Sequence, residues 1–172
     1  MVWFQMLAAL RRRTPVPAVD DEAAQAFAAR LDAASQQRLG RSLAIRAVNA
    51  GGCNGCELEL RMLAGAVYDL ERFGVRFVAS PWHADVLLVT GPVTRTMHGA
   101  LVRTWQAMPE PKWVVAVGDC GIDGGVFKGS YAVAGGVDAA VPVDLTIRGC
   151  PPTPLQMLDG LRTLVEANAR TS

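Results

Sequence analysis

Two segments, "DVLLVTG" at 85–91 and "KWVVAV" at 112–117, are apolar at almost every position. A strand with one face in water alternates apolar and polar side chains. A run without that alternation needs cover on both faces. Stretches with helical spacing separate these runs from "SLAIRAV" at 42–48, "VRFVAS" at 75–80 and "VPVDLTI" at 141–147. Strands alternating with helices predict an α/β domain, a parallel sheet with helices on both faces. Such sheets bind ligands outside the carboxyl ends of their strands.

The helical stretches carry their own signals. In "ELELRMLAGAVYDLERFG" (57–74), Leu58, Met62, Val67 and Leu70 predict a buried stripe and Gly74 a C-terminal stop. "TRTMHGALVRTWQAM" (94–108) reads as a helix closed by Pro109. The last helix starts at Thr153, with Gln156 at capping-box spacing and Pro154 at the first helical position. Leu155, Leu158, Leu161 and Val165 give it an apolar face. Between the fourth and fifth strands the chain reads as one long glycine-rich loop.

The regular pattern begins at residue 42, so residues 1–41 read as an extension and 42–172 as the domain. Met1 to Arg13 combines Trp3, Phe4, Met6, Leu7 and Leu10 with "RRR" at 11–13, and reads either as a frayed terminus or as a short amphipathic helix docking to a membrane surface or a partner groove. "TPVPAVDD" breaks it, and "DEAAQAFAARLDAASQQRLG" reads as an alanine-rich helix ending at Gly40. The arginines follow the apolar run instead of preceding it, the reverse of a secretory signal. No apolar run approaches the ~20 residues of a membrane span. The expectation is a soluble or peripheral protein on the reducing side of the membrane. A formal net charge of +1 exerts no general pull toward nucleic acid, and none is expected as a partner.

The chain has four cysteines. Cys53 and Cys56 follow the first strand within "NAGGCNGCELEL", Cys120 follows "KWVVAV", and Cys150 follows "VPVDLTI". All four therefore fall just past strand ends, on the edge where this architecture places its sites. Disulfides fit poorly with a reducing compartment. Structural zinc usually draws on two short-spaced pairs, and here only one pair is close. A [4Fe–4S] cluster takes four thiolates, which a C-x-x-C plus remote cysteines can supply. The surroundings favour the cluster: Gly51, Gly52 and Gly55 let backbone N–H groups point at sulfur, and "GDCGIDGG" repeats the device around Cys120. Pro151 and Pro152 fix the exit of the chain after Cys150.

Together, "NAGGCNGCELE", "GPVTRTM" and "MPEPKWVVAVGDCGIDGGVFKGSYAVAGGVDAAVPVDLTIRGCPPTP" resemble the small subunit of energy-converting, membrane-bound [NiFe] hydrogenases. They are also similar to the related B subunit of the proton-pumping NADH:quinone oxidoreductase. The resemblance implies a flavodoxin-like domain with one [4Fe–4S] cluster on Cys53, Cys56, Cys120 and Cys150, and no catalytic site of its own. The quinone-reducing branch has adjacent cysteines as its first two ligands; here Asn54 and Gly55 intervene, as in the hydrogenase branch. The implied partners are a nickel–iron large subunit, a ferredoxin-like multi-cluster subunit and integral membrane subunits. The implied place is peripheral, on the cytoplasmic side of the cell membrane. Exported members often have a glutamate before the first cluster cysteine, where this chain has Gly52.

Other residues have two readings each. Glu57 and Glu59 either complement the helix dipole or act as carboxylates beside the cluster. Arg95 either caps a helix in solvent or faces the large subunit. Lys128 and Tyr131 are expected to help enclose the cluster, and His83 and His98 receive no role. A non-redox scaffold, in which the cluster only holds the fold, is the alternative of another class; a reversible redox signal excludes it.

Overall fold

In the computed structural model, the described residues are 40–65, 68–169 and positions 26, 29, 30, 33, 35 and 36. Those six positions are helical, within the alanine-rich segment. Met1 to Arg13 and Val67 lie outside the described residues.

Five parallel strands form the main sheet: β1 (Leu43–Asn49), β2 (Val75–Phe77), β3 (Val86–Thr90), β5 (Trp113–Val117) and β7 (Leu145–Ile147). Their order is β2-β1-β3-β5-β7. Counted within the sheet this is 2-1-3-4-5, the flavodoxin-like order, whose switch point lies between β1 and β3. Two short strands, β4 (Val93–Thr94) and β6 (Val133–Gly135), pair antiparallel beside it. Among the described residues outside the alanine-rich segment, the helices are α1 (Gly55–Leu63), α2 (Arg95–Gln106), α3 (Asp119–Asp123) and α4 (Pro154–Ala169).

Every residue of β3 and β5 is buried. Their alternate side chains divide between two cores, as the strand period of two requires. Val86, Leu88, Val115 and Val117 join Leu60 and Leu63 of α1 and Met157, Leu158, Leu161 and Val165 of α4. Leu87, Val89, Val114 and Ala116 join Leu101 of α2, Met108 and Val137 on the other face. The expected sheet with helices on both faces is what these residues build.

Two helical stripes differ from expectation. α1 ends at Leu63, far short of Gly74; Leu70 is buried, but on a separate 3-10 turn, Leu70–Phe73, which Gly74 closes. Leu58 and Met62 are about half exposed, at 53% and 49%. The cause is the phase set by Cys56: turning residue 56 inward carries Leu60 and Leu63 inward at i+4 and i+7. Residues 58 and 62 then fall on the opposite face. In α4 the capping box forms: Thr153 N–H donates to Gln156 Oε1 at 2.8 Å, and Gln156 N–H donates to Thr153 Oγ1 at 3.3 Å. Leu158, Leu161 and Val165 are buried as expected, whereas Leu155, in the first turn, is exposed. The "long loop" after β5 contains α3, β6 and two 3-10 turns. Glycines at its turns hide these short elements from a periodicity reading.

At the amino edge of the sheet, Arg41 makes a two-pronged contact with buried Asp85, 2.6 and 3.1 Å, and Asp85 Oδ2 accepts the Ala44 N–H at 2.9 Å. This joins the starts of β1 and β3, opposite the edge that carries the cysteines.

Candidate metal centre

The loop leaving β1 turns sharply. Asn49 Oδ1 accepts N–H groups from Gly51 and Gly52 at 2.7 and 2.8 Å, and Asn54 adopts a left-handed conformation (φ 74°) immediately before α1. The turn places Cys53 before the helix and Cys56 in its first turn. Cys120 lies in the first turn of α3, directly after β5, and Cys150 follows β7 by three residues. Gly118 connects β5 to Cys120 with φ +81° and ψ 156°, a region open essentially to glycine.

All four sulfur residues line one cavity of about 90 Å³, together with Gly52, Gly55, Glu57, Gly91, Asp119, Gly149 and Pro151. The volume is several times the ≈30 Å³ share of one water in the liquid. It is well below the ≈300–1,000 Å³ of sites for drug-sized ligands. Among the described residues, no three His, Cys, Asp or Glu side chains gather closely enough to hold a single metal ion. The four thiols share this lining, and four thiolates are the set that a [4Fe–4S] centre takes. Burial pushes the Cys56 thiol up to about 11, with further contributions from Glu57 and the other three cysteines. Burial also raises Cys120, opposed by a hydrogen bond from the Val126 N–H. The donor set is chemically right for iron or another thiophilic metal, whose binding displaces thiol protons.

The glycine N–H groups are used differently from the sequence expectation. Those of Gly51 and Gly52 satisfy Asn49, and that of Gly125 satisfies Asp123 at 3.0 Å. The backbone group that counters the rise at Cys120 is the Val126 N–H, on a residue whose side chain gives no such signal. Lys128 and Tyr131 do not enclose the cavity: Lys128 pairs with Asp123 at 3.4 Å, and Tyr131 is 89% exposed. Glu57 does line it and accepts a hydrogen bond from the buried Thr90 hydroxyl, whereas Glu59 does not line it. Arg95 is exposed at the start of α2 on the carboxyl edge. His83 sits in a 3-10 turn before β3, away from the cysteines, and His98 Nε2 lies 3.4 Å from the Ala139 carbonyl. Two residues missed in the sequence are Asn49 and Asp119. Asn49 is two positions ahead of a Gly-Gly pair, which is a readable turn signal.

Glu57 also borders a second, larger cavity, about 460 Å³, with Asn49, Asn54, Leu60, Arg61 and Phe77 among its lining.

Comparison with known proteins places these features in context. The chain is 46% identical over 146 residues to formate hydrogenlyase subunit 7 of Escherichia coli (strain K12), covering 85% of this chain and 56% of that protein. It thus spans little more than half of that relative's length. It is 42% identical over 132 residues to the probable membrane-bound hydrogenase subunit mbhJ of Pyrococcus furiosus, covering 77% and 79% of the two chains. It is 46% identical over 119 residues to the NADH-quinone oxidoreductase B subunit of Geobacter sp. (strain M21), covering 68% and 69%. A chain of the membrane-bound sulfane sulfur reductase, an archaeal respiratory membrane complex, superposes with a TM-score of 0.68 at 34% identity, covering 84% of this chain and 77% of that one. The family described as NADH ubiquinone oxidoreductase, 20 Kd subunit, matches residues 53–164, the span holding all four cysteines, and the chain belongs to that family of iron–sulfur subunits of oxidoreductase complexes.

Proposed function

We propose that this chain is the electron-transfer small subunit of a membrane-bound [NiFe] hydrogenase complex. Cys53, Cys56, Cys120 and Cys150 hold one [4Fe–4S] cluster, one thiolate to each iron. The observation that carries this reading is the ring of four thiols at the carboxyl edge, whose first two members are separated by Asn54 and Gly55. When bound, the cluster supplies one-electron chemistry. The chain's own residues set its surroundings: the Val126 N–H counters the rise of the Cys120 thiol, Pro151 and the glycines line the cavity, and Asn49 fixes the first ligand loop.

Electrons pass between a ferredoxin-like subunit and the nickel–iron site of a large subunit. Relatives in membrane-bound complexes support a peripheral place at the membrane; its side in this proposal is cytoplasmic, beside integral membrane subunits. Among the described residues no helix is long and apolar enough to cross a membrane. Residues 1–41 act as the docking extension to the domain at 42–172, and Met1 to Arg13 lies against the membrane surface.

Metal analysis of the co-purified complex tests the assignment. Nickel near one equivalent, and loss of one four-iron signal in the Cys120→Ala complex, are the expected results. An intact four-iron signal in that variant would overturn the ligand set.

A second reading has an observation of its own. The 460 Å³ cavity beside the thiols has the size of a small-molecule site, as a B-type subunit passing electrons to quinone would need. Bound quinone with no nickel in the purified complex would decide for it.

A further inference from the structure

Asp119 joins two of the cysteine loops. Its backbone N–H donates to the Gly149 carbonyl at 3.0 Å, and its Oδ1 accepts the Gly149 N–H at 3.1 Å. One residue before Cys120 is thereby bonded in both directions to the residue before Cys150. Gly149 is held where a side chain cannot follow: its φ is +139°, and a Cβ would lie 2.5 Å from the Pro152 Cα. The partner loop therefore has little freedom to adapt if Asp119 is lost.

Asp119 is also among the residues lining the thiol cavity, and no described cation pairs with its carboxylate. Asp123 differs, being paired with Lys128 further out. Asp119 is half-buried, where solvent screens its charge less than at an open surface.

We infer that Asp119 is a positioning residue with two separable roles, clamping the Cys120 and Cys150 loops together and holding the potential of the bound centre low by its unpaired charge. The inference rests on the proposed cluster. Adding an electron to a thiolate-ligated centre adds negative charge, which a fixed anion beside it opposes. A lowered potential suits delivery of electrons to protons better than delivery to a quinone.

Two substitutions in the purified complex separate the roles. Asp119→Asn keeps an oxygen acceptor for the Gly149 N–H and removes the charge. It is expected to retain full iron and acid-labile sulfide while reduction becomes roughly tenfold more favourable, an upward shift of about 59 mV for one electron. Asp119→Ala removes the acceptor as well and is expected to lose at least half of the four-iron signal that Cys120→Ala removes, with faster amide exchange at Gly149. An unchanged potential in Asp119→Asn overturns the electrostatic role, and full iron with unaltered Gly149 exchange in Asp119→Ala overturns the clamp. The four-iron signal of the unsubstituted complex is first compared with that of the Cys120→Ala complex. No difference between them removes the cluster reading itself, so the two failures are told apart.

Discussion

A methyl group on Gly118 would sit 2.7 Å from the Cys56 sulfur and 3.3 Å from the Gly149 carbonyl. The backbone there also occupies a region that costs other residues about 1–3 kcal/mol. Gly118→Ala is therefore expected to lose most of its iron, read by metal analysis, while far-UV circular dichroism stays close to that of the parent. Gly129 is the control: its φ is +82°, yet a Cβ there meets nothing within 4 Å, so Gly129→Ala should keep its iron. The loop that supplies the Val126 donor has a pH signature. The Gly125 N–H and Lys128 hold the Asp123 carboxyl below its ordinary range. A lowered folded value means that the contribution is present above the ordinary aspartate pKa and fades as pH falls through the lowered one. Amide-exchange protection at Gly125 should decline on acidification in the parent and be flat with pH in Asp123→Asn.

At the scale of elements, α1 and α4 show which apolar residues carry stability. Leu161 is fully buried against the sheet, so Leu161→Ala should cost about 2–5 kcal/mol in the unfolding free energy. Leu58 and Met62 face outward, four positions apart on α1. Leu58→Asp should leave the unfolding free energy within about 0.5 kcal/mol of the parent but weaken retention of partner subunits on gel filtration; unchanged retention would show that this face is free in the complex. The contrast marks what was legible in the sequence. β3 and β5 were readable because an unbroken short apolar run between turn residues fits little besides a strand covered on both faces. α2 and α4 were readable from Pro109 and from the Thr153–Gln156 spacing. The phase of α1 was not, because the inward turn of Cys56 and not the hydrophobic pattern decides which side faces in. The four thiols were legible from their positions after strands. Asn49, Asp119 and the Val126 N–H were not, since their roles depend on contacts that only the folded loops bring about.

At the scale of the molecule, the sheet holds the cysteine loops at set separations. Cys53 and Cys56 rise from β1, Cys120 from β5 and Cys150 from β7, while β3 lies between β1 and β5 and contributes no cysteine. Between β1 and β5 the cysteine loops are thus parted by a strand that carries no cysteine. β3 is a spacer, and its width is fixed by its ladders to β1 and β5, from Val86 to Thr90. A centre seated on the ring also ties segments 64 and 30 positions apart, 56 to 120 and 120 to 150, so it acts as a long-range cross-link on the unfolded chain. Stripping the metal should therefore lower the thermal midpoint of the whole domain and not only loosen the loops. Leu88→Ala, deep in β3 and part of no cysteine loop, should make the centre easier to strip with a chelator, because slackening the spacer lets the two sides of the ring drift.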